Sequence, residues 1–180
     1  MQLRTPKLLA ASLILLAPAL SHASNTINFI GEVSEQTCAV TINGNNNLPS
    51  VLLPTASTGA LNASGNTSGQ TNFRVTVTGC AAPTAAVPIR TVFVGNNVTS
   101  NGYLGNTGTA GNVALQLLDP ATPAAPFNLN TAEGVRVPGL QLAIGATSAS
   151  YDYAVRYIAD GAAATAGTVR ASVQYALSYR

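Results

Sequence analysis

The chain has 180 residues, of which 47% are apolar and only 8% are charged, and its formal net charge is +2 at pH 7. This length fits one domain, or one domain preceded by a leader peptide. A chain with so little charge lacks the basic surface that binds nucleic acid or anionic lipid, so these two classes of partner are excluded.

The first 23 residues are predicted to be a secretory signal peptide. Arg4 and Lys7 make its start basic, and residues 8–17 form an apolar run. This run is much shorter than the ~20 residues that a membrane-spanning helix needs. Small residues at Ser21 and Ala23 suit cleavage after position 23. Removal of the leader would leave six basic and six acidic residues and no Lys, His or Met, so the mature chain would be neutral.

Two cysteines, Cys38 and Cys80, remain in the mature chain. In an exported protein the oxidising surroundings make a disulfide between them the default prediction, and two buried free thiols are the alternative. Two cysteines without any histidine are a poor metal-ligand set. The sequence therefore predicts neither a metal site nor a cofactor.

The mature chain begins with a strand pattern over residues 25–33. Successive side chains of a strand point to opposite faces, so every second residue shares a face. One face would carry five residues: Asn25, Ile27, Phe29, Gly31 and Val33. The other face would carry Thr26, Asn28, Ile30 and Glu32. A glycine in the middle of a strand costs stability and often marks the close approach of another backbone.

The middle of the chain predicts many short strands separated by turn-forming residues. Apolar runs and alternation predict strands at residues 38–42, 51–53, 71–78, 89–94, 113–119, 127–130, 135–144 and 150–158. The strand over 135–144 is expected to be interrupted at Pro138 and Gly139. Residues 55–70 and 100–112 are rich in Gly, Ser, Thr and Asn and are predicted to be loops. Since helical periodicity is missing after the leader, the predicted fold class is an all-β sandwich or barrel.

The last fourteen residues carry the clearest strand pattern. Gly167 precedes a twelve-residue alternation over 168–179, in which the residues of one face are Val169, Ala171, Val173, Tyr175, Leu177 and Tyr179. The residues between them are mostly polar. Chain ends usually fray, so a strong strand at this position is unexpected.

The mature chain lacks the residues of common catalytic sites. Without His it holds neither a Ser-His-Asp nor a Cys-His arrangement, and without Lys it holds no Ser-Lys dyad and no P-loop. Its six acidic residues are scattered, and their spacing does not suggest the paired carboxylates of a glycosidase. The sequence predicts a protein that is not an enzyme.

Three features, taken in order, resemble those of type 1-like fimbrial subunits, the pilins of the chaperone–usher pathway of Gram-negative bacteria. The N-terminal stretch T-I-N-F-I-G-E-V-S-E-Q-T-C-A-V resembles the family's N-terminal extension. The second cysteine follows a strand, F-R-V-T-V-T-G-C, at the family's usual separation. The chain ends with a glycine fourteen residues from its end, alternating apolar residues and a penultimate tyrosine. The resemblance covers the whole mature chain.

This resemblance implies an incomplete immunoglobulin-like sandwich that lacks its seventh strand and is completed by donor-strand exchange. Residues 24–37 would be the N-terminal extension, and residues 38–180 the pilin domain. The five residues that alternate from Asn25 to Val33 would be the donor residues for a neighbouring subunit. Gly167 and the alternating residues from Val169 to Tyr179 would form the strand beside the groove, which a periplasmic chaperone binds first.

The same resemblance implies a function and partners. The chain would be a structural subunit of a surface fimbria that polymerises head-to-tail with other copies and supports cell adhesion. Its partners would be neighbouring pilins, the periplasmic chaperone and an outer-membrane usher, with export through the periplasm to the cell surface.

Two other interpretations remain open from the residues alone. A small outer-membrane β-barrel would suit the signal peptide and the aromatic near the C-terminus, but strand faces rich in Thr, Ser, Asn and Arg do not suit lipid. A secreted β-sandwich binding module would suit the composition, but it does not explain strong strand patterns at both chain ends.

Overall fold

The computed structural model describes residues 31–34 and 38–179. The predicted signal peptide and the predicted N-terminal strand up to Ile30 lie outside this part of the chain. The described residues form eight strands: β1 (Ala39–Ile42), β2 (Thr67–Thr78), β3 (Val87–Gly95), β4 (Leu104–Gly105), β5 (Val113–Leu118), β6 (Val135–Leu142), β7 (Ala149–Ala159) and β8 (Val173–Ser178). One 3-10 turn, Thr58–Leu61, precedes β2. Within the described ranges, no helix has the length and apolarity to cross a membrane.

The strands form two antiparallel sheets. One sheet has five strands in the order β1-β2-β7-β5-β4, and the other has three in the order β6-β3-β8. Aromatic rings join the two sheets: the Phe73 ring on β2 lies 6.2 Å from the Phe93 ring on β3. The Tyr153 ring on β7 lies 5.5 Å from that of Phe93. The predicted all-β sandwich is therefore confirmed.

The alternation read in the sequence explains which side chains form the core. On β2, Phe73, Val75 and Val77 are buried, whereas Arg74 and Thr78 between and after them are exposed. This arrangement follows because odd and even residues of a strand face opposite sides of the sheet. The Tyr153 hydroxyl, which is also buried, lies 3.1 Å from both the Thr91 hydroxyl and the Pro138 carbonyl oxygen. The one polar group of this large side chain is thus satisfied inside the core.

The predicted disulfide between Cys38 and Cys80 is present. Cys38 directly precedes β1, and Cys80 lies two residues after the end of β2. Because Ala39 pairs with Thr78 in the antiparallel register, the bridge closes the end of this strand pair. It therefore fixes β1, an edge strand of the five-stranded sheet, to its neighbour β2.

Two predicted strands are wrong. Residues 51–53 and residues 127–130 form no strand in the structure. In the second segment, Phe127 N donates to Leu117 O and Leu129 N donates to Gly102 O. These hydrogen bonds reach two separate parts of the chain, so they do not build a ladder. In the first segment Val51 and Leu53 pack on the core without strand pairing, whereas Leu52 is exposed.

The predicted loops and breaks also differ from the structure. Strand β2 begins at Thr67, inside the predicted loop 55–70, and its register against β7 shifts between Ser68 and Thr71. The short β4 lies inside the predicted loop 100–112. Strand β6 continues through Pro138 and Gly139, where a break was predicted, because its register against β3 shifts there.

Candidate functional site

The C-terminal strand lies at an edge of the three-stranded sheet. Among the described residues β8 pairs with β3 on one side and with no strand on the other. It spans Val173–Ser178, which is half the length predicted over residues 168–179. The prediction was too long because residues 168–172, although extended, lie against a loop and not against another strand.

One contact shows which residues of β8 direct their backbone groups toward β3 and which direct them away from it. Asn96 N donates to Ser172 O across 3.4 Å, which continues the register that pairs Gly95 with Val173. In an antiparallel pair, alternate residues direct their backbone groups to the partner strand. Ser172, and then every second residue to Ser178, therefore face β3. Val173, Tyr175 and Leu177 direct their N–H and C=O groups to the open side.

A polar clasp replaces the partner strand for residues 168–170. Its members are Asn106, Thr107, Thr109, Thr168 and Arg170. The Asn106 carboxamide oxygen accepts hydrogen bonds from Gly108 N and Arg170 N, both at 2.8 Å. Its amide nitrogen donates to Ala110 O at 2.8 Å and to Thr168 O at 3.2 Å.

The threonines complete this clasp. Thr109 N donates to the Thr168 hydroxyl, and Thr168 N donates to the Thr109 hydroxyl. Thr107 donates to Arg170 O through both its backbone and its hydroxyl. Because residues 168 and 170 direct their backbone groups to the clasp, Val169 and Ala171 direct theirs to the opposite side. The open edge is therefore continuous over five alternating residues: Val169, Ala171, Val173, Tyr175 and Leu177.

Gly167 lies at the point where the chain enters the clasp. A Cβ added to it would lie 2.7 Å from the Cα of Ala110 and 2.7 Å from the carbonyl carbon of Thr109. Both atoms belong to backbone that the clasp holds in place, so they cannot move away cheaply. The predicted site glycine thus allows two backbones to approach closely.

An apolar groove of about 470 Å³ runs beside the open edge. On one side it is lined by the predicted residues Val169, Ala171, Val173 and Tyr175. Another part of its lining comes from Pro49, Ser50, Val51 and Leu53, and the core contributes Ile42, Phe73, Phe93, Leu104, Leu115, Leu117 and Val155. Arg170 is the only charged residue among those that line it. The groove thus suits an apolar extended segment and not a charged ligand.

The two remaining predicted strand residues lie at the far end of β8. Leu177 and Tyr179 are half-buried and pack against the core. The Tyr179 hydroxyl accepts a hydrogen bond of 3.2 Å from Cys38 N. This contact joins the end of the chain to the disulfide-bonded start of the sandwich.

Of the predicted donor residues, the structure describes Gly31 and Val33. Asn25, Ile27 and Phe29 lie outside the described residues. The Val33 side chain is 97% exposed, and Gly31 is exposed too. Between them, Glu32 contacts the C-terminal end of the chain. Its carboxylate accepts hydrogen bonds from the Ser178 hydroxyl at 2.8 Å and from Tyr179 N at 3.1 Å.

Sequence reasoning missed the clasp, the groove wall over residues 49–53 and the contact of Glu32. Asn106 and Thr109 lie in a stretch whose composition indicated only a loop. No spacing in the sequence connects that loop to residues 168–170, which are about sixty positions away. Only the alternation of residues 168–179 indicated that one face of this segment would be apolar.

Charged groups away from the groove hold the five-stranded sheet. Arg74 and Asp152 face each other on β2 and β7 and form two hydrogen bonds of 2.7 and 2.8 Å, which lower the pKa of Asp152. The Tyr151 hydroxyl donates a 2.7 Å hydrogen bond to the Asp119 carboxylate. That bond, with burial and the nearby charge, raises the pKa of Tyr151 to about 12. These pairs tie neighbouring elements together and are structural.

Known proteins are similar to this chain in sequence and in fold. A family model described as fimbrial protein matches residues 27–180. The F17 fimbrial protein of Escherichia coli is 35% identical over 176 residues, which cover 92% of this chain and 95% of that protein. The major fimbrial subunit SMF-1 of Stenotrophomonas maltophilia (strain K279a) is 33% identical over 165 residues, covering 89% and 95%. The crystal structure of the P pilus rod subunit PapA has the same fold, with a TM-score of 0.59, 17% identity, and coverage of 79% of this chain and 99% of that one.

Proposed function

Because the chain belongs to the fimbrial protein family, we propose that its groove and open edge accept the N-terminal segment of a second copy. The chain is a structural subunit of an extracellular pilus, and its sandwich is of the type 1-like pilin kind. The observation that carries the proposal is the apolar groove beside an edge strand that has no strand partner among the described residues. Strand addition at such an edge supplies backbone hydrogen bonds, while alternate side chains enter the groove.

The number of alternating positions supports this occupant. The open edge offers five residues from Val169 to Leu177, and the predicted donor face has five residues from Asn25 to Val33. Burial of Ile27, Phe29 and Val33 would contribute about 1.5–3 kcal/mol each. Their sum, roughly 5–8 kcal/mol, is comparable to the ~5–15 kcal/mol that stabilises a typical domain. A subunit with an empty groove is therefore expected to be marginally stable.

The exposed donor residues support donation to another copy. Val33 is almost fully exposed, so its side chain does not fill a groove in its own chain. Each subunit would donate to the next and accept from the one before. A head-to-tail contact of this kind does not close on itself and therefore generates a filament. This filament is the structural basis for the adhesion that fimbriae support.

An open apolar groove also requires protection before assembly. We propose that a periplasmic chaperone occupies the groove first and that an outer-membrane usher directs the exchange, since a wide unpaired edge promotes aggregation. In this scheme residues 1–23 are a signal peptide removed on export, residues 24–37 are the donor extension, and residues 38–180 are the accepting domain. The fimbria would lie on the surface of a Gram-negative cell.

The experiment compares two chains with the disulfide intact. The first is residues 24–180 in natural order, and the second carries residues 24–34 moved to the C-terminus through a flexible linker. We expect the rearranged chain to be monomeric and to melt roughly 10–30 °C higher, because its groove is filled. A matched control is the rearranged chain with Ile27→Asp and Phe29→Asp, which should lose this gain. If all three chains are equally stable monomers, the proposal is wrong.

A further inference from the structure

Glu32 occupies an unexpected position for a residue of the donor segment. Its neighbours Gly31 and Val33 are exposed, whereas its carboxylate is hydrogen-bonded to the far end of the chain's own β8. The donors of these two hydrogen bonds are the Ser178 hydroxyl and the backbone N–H of Tyr179. Ser178 is buried, at 4% exposure, and its hydroxyl donates to this carboxylate.

The N–H group that Glu32 binds belongs to the open edge. Tyr179 follows Val173, Tyr175 and Leu177 in the alternation, so its backbone N–H points to the same open side as theirs. Glu32 thus occupies the sixth position of the edge, next to the five that remain open. The hydrogen bond from Cys38 N to the Tyr179 hydroxyl holds this end of the strand in place.

We propose that Glu32, which lies on the face of the donor segment opposite to Gly31 and Val33, stays on its own chain's β8 as the end-stop of the open edge and sets the register of the incoming segment. This inference rests on the proposed function, because it concerns the same groove and the same occupant, a second copy of this chain. An incoming strand that reached Tyr179 would have to displace the carboxylate from two hydrogen bonds. The displaced charge would then lose partners in a partly buried site, which is unfavourable.

Such an end-stop would restrict the register of the incoming strand, which alternation of apolar residues does not fully determine. A slip of one residue turns every apolar side chain away from the groove, so the pattern itself prevents it. A slip of two residues keeps the same face inward, so alternation alone does not prevent it. Closing the edge after Leu177 excludes the slip toward Tyr179, because only five positions are available for five donor residues.

The test uses residues 24–180 refolded with synthetic peptides of different length. The reference peptide is residues 25–33. Two others continue the alternation by two residues, one with Val-Thr before Asn25 and one with Thr-Val after Val33. One of them should extend over Tyr179. In the wild-type chain, we expect the lengthened peptide that extends over Tyr179 to bind no more tightly than the reference peptide.

The variant Glu32→Ala should remove this limit. With the edge open at Tyr179, the same lengthened peptide should bind about 3- to 10-fold more tightly than the reference, because one more apolar residue is partly buried. Glu32→Gln keeps an acceptor oxygen and should behave closer to the wild type. Glu133→Ala removes an exposed carboxylate that forms a salt bridge with Arg136 on β6. This control should show wild-type behaviour.

The outcomes distinguish the two proposals. If no peptide binds or stabilises the wild-type chain, the proposed function fails. If the peptides bind but wild type and Glu32→Ala show the same dependence on length, the end-stop is refuted while strand acceptance stands. The melting temperatures of the peptide complexes report whether each variant has folded, and an effect on folding alone would change affinity equally for all three peptides.

Discussion

The polar clasp is predicted to hold the first half of the open edge, and Asn106→Ala tests this directly. The Asn106 side chain makes four hydrogen bonds, of which those with Gly108 N and Ala110 O are partly buried. The other two, with Thr168 O and Arg170 N, are exposed. At about 1 kcal/mol for each partly buried bond and about 0.5 for each exposed one, the substitution should cost roughly 3 kcal/mol.

This loss should appear both as lower stability and as weaker binding of the donor segment. For a domain of this size, roughly 3 kcal/mol corresponds to a melting temperature about 6–12 °C lower. The assay is thermal unfolding of residues 24–180 in complex with a peptide of residues 24–34. Hydrogen exchange at the Arg170 amide should report the local change, because Asn106 accepts its hydrogen bond.

Asn101→Ala is the matched control. Asn101 lies in the same part of the chain and makes one exposed hydrogen bond, to Asp160, so its loss should cost about 0.5 kcal/mol. If Asn106→Ala and Asn101→Ala lower the melting temperature equally, or if exchange at Arg170 is unchanged, the clasp does not support the edge.

Three further predictions concern single contacts. Gly167→Ala should lower the free energy of unfolding by about 1–3 kcal/mol in thermal unfolding, because the added Cβ would lie 2.7 Å from fixed backbone. The control Gly59→Ala would place its Cβ at an ordinary 3.8 Å contact and should be nearly neutral. Equal effects of the two substitutions would contradict the steric argument. Tyr151→Phe should cost about 1 kcal/mol at pH 7 by urea unfolding. The pKa of Tyr151 is raised to about 12 in the folded chain, so this stabilisation should be complete below pH ~10 and lost between pH ~10 and 12. An equally steep loss of stability over this pH range in Tyr151→Phe would contradict the assignment to Tyr151. Replacement of Cys38 and Cys80 by Ser should cost about 4 kcal/mol, since the bridge joins residues 42 positions apart, and an unchanged urea midpoint would refute this value.

The strands of the core could be predicted from the sequence because their pattern is local. On β2 and β3, buried residues such as Phe73, Val75, Ile89 and Phe93 alternate with exposed ones. The period of two comes from strand geometry itself and needs no knowledge of the partner strand. The disulfide could also be predicted, because two cysteines in an exported chain have one way to pair.

The segments predicted wrongly are those whose structure depends on whether another strand pairs with them. Residues 51–53 are apolar enough for a strand, but no described strand pairs with them, and Val51 and Leu53 line the groove instead. Residues 67–70 have a loop-like composition, yet β7 pairs with part of this stretch and draws it into β2. Propensity is a weak influence on strands, because packing against neighbours contributes most of the stability.

The sequence by itself determined that this is an all-β chain with a disulfide, apolar strand patterns at both ends and a C-terminal face suited to a groove. Each of these properties follows from the type and order of neighbouring residues. Only the tertiary structure decided that a loop, and not a strand, holds residues 168–170, that Gly167 lies against Ala110, and that Glu32 binds the N–H of Tyr179. Hydrogen bonds between segments about 60 to 150 positions apart depend on how the chain is folded in space, and no local pattern encodes them.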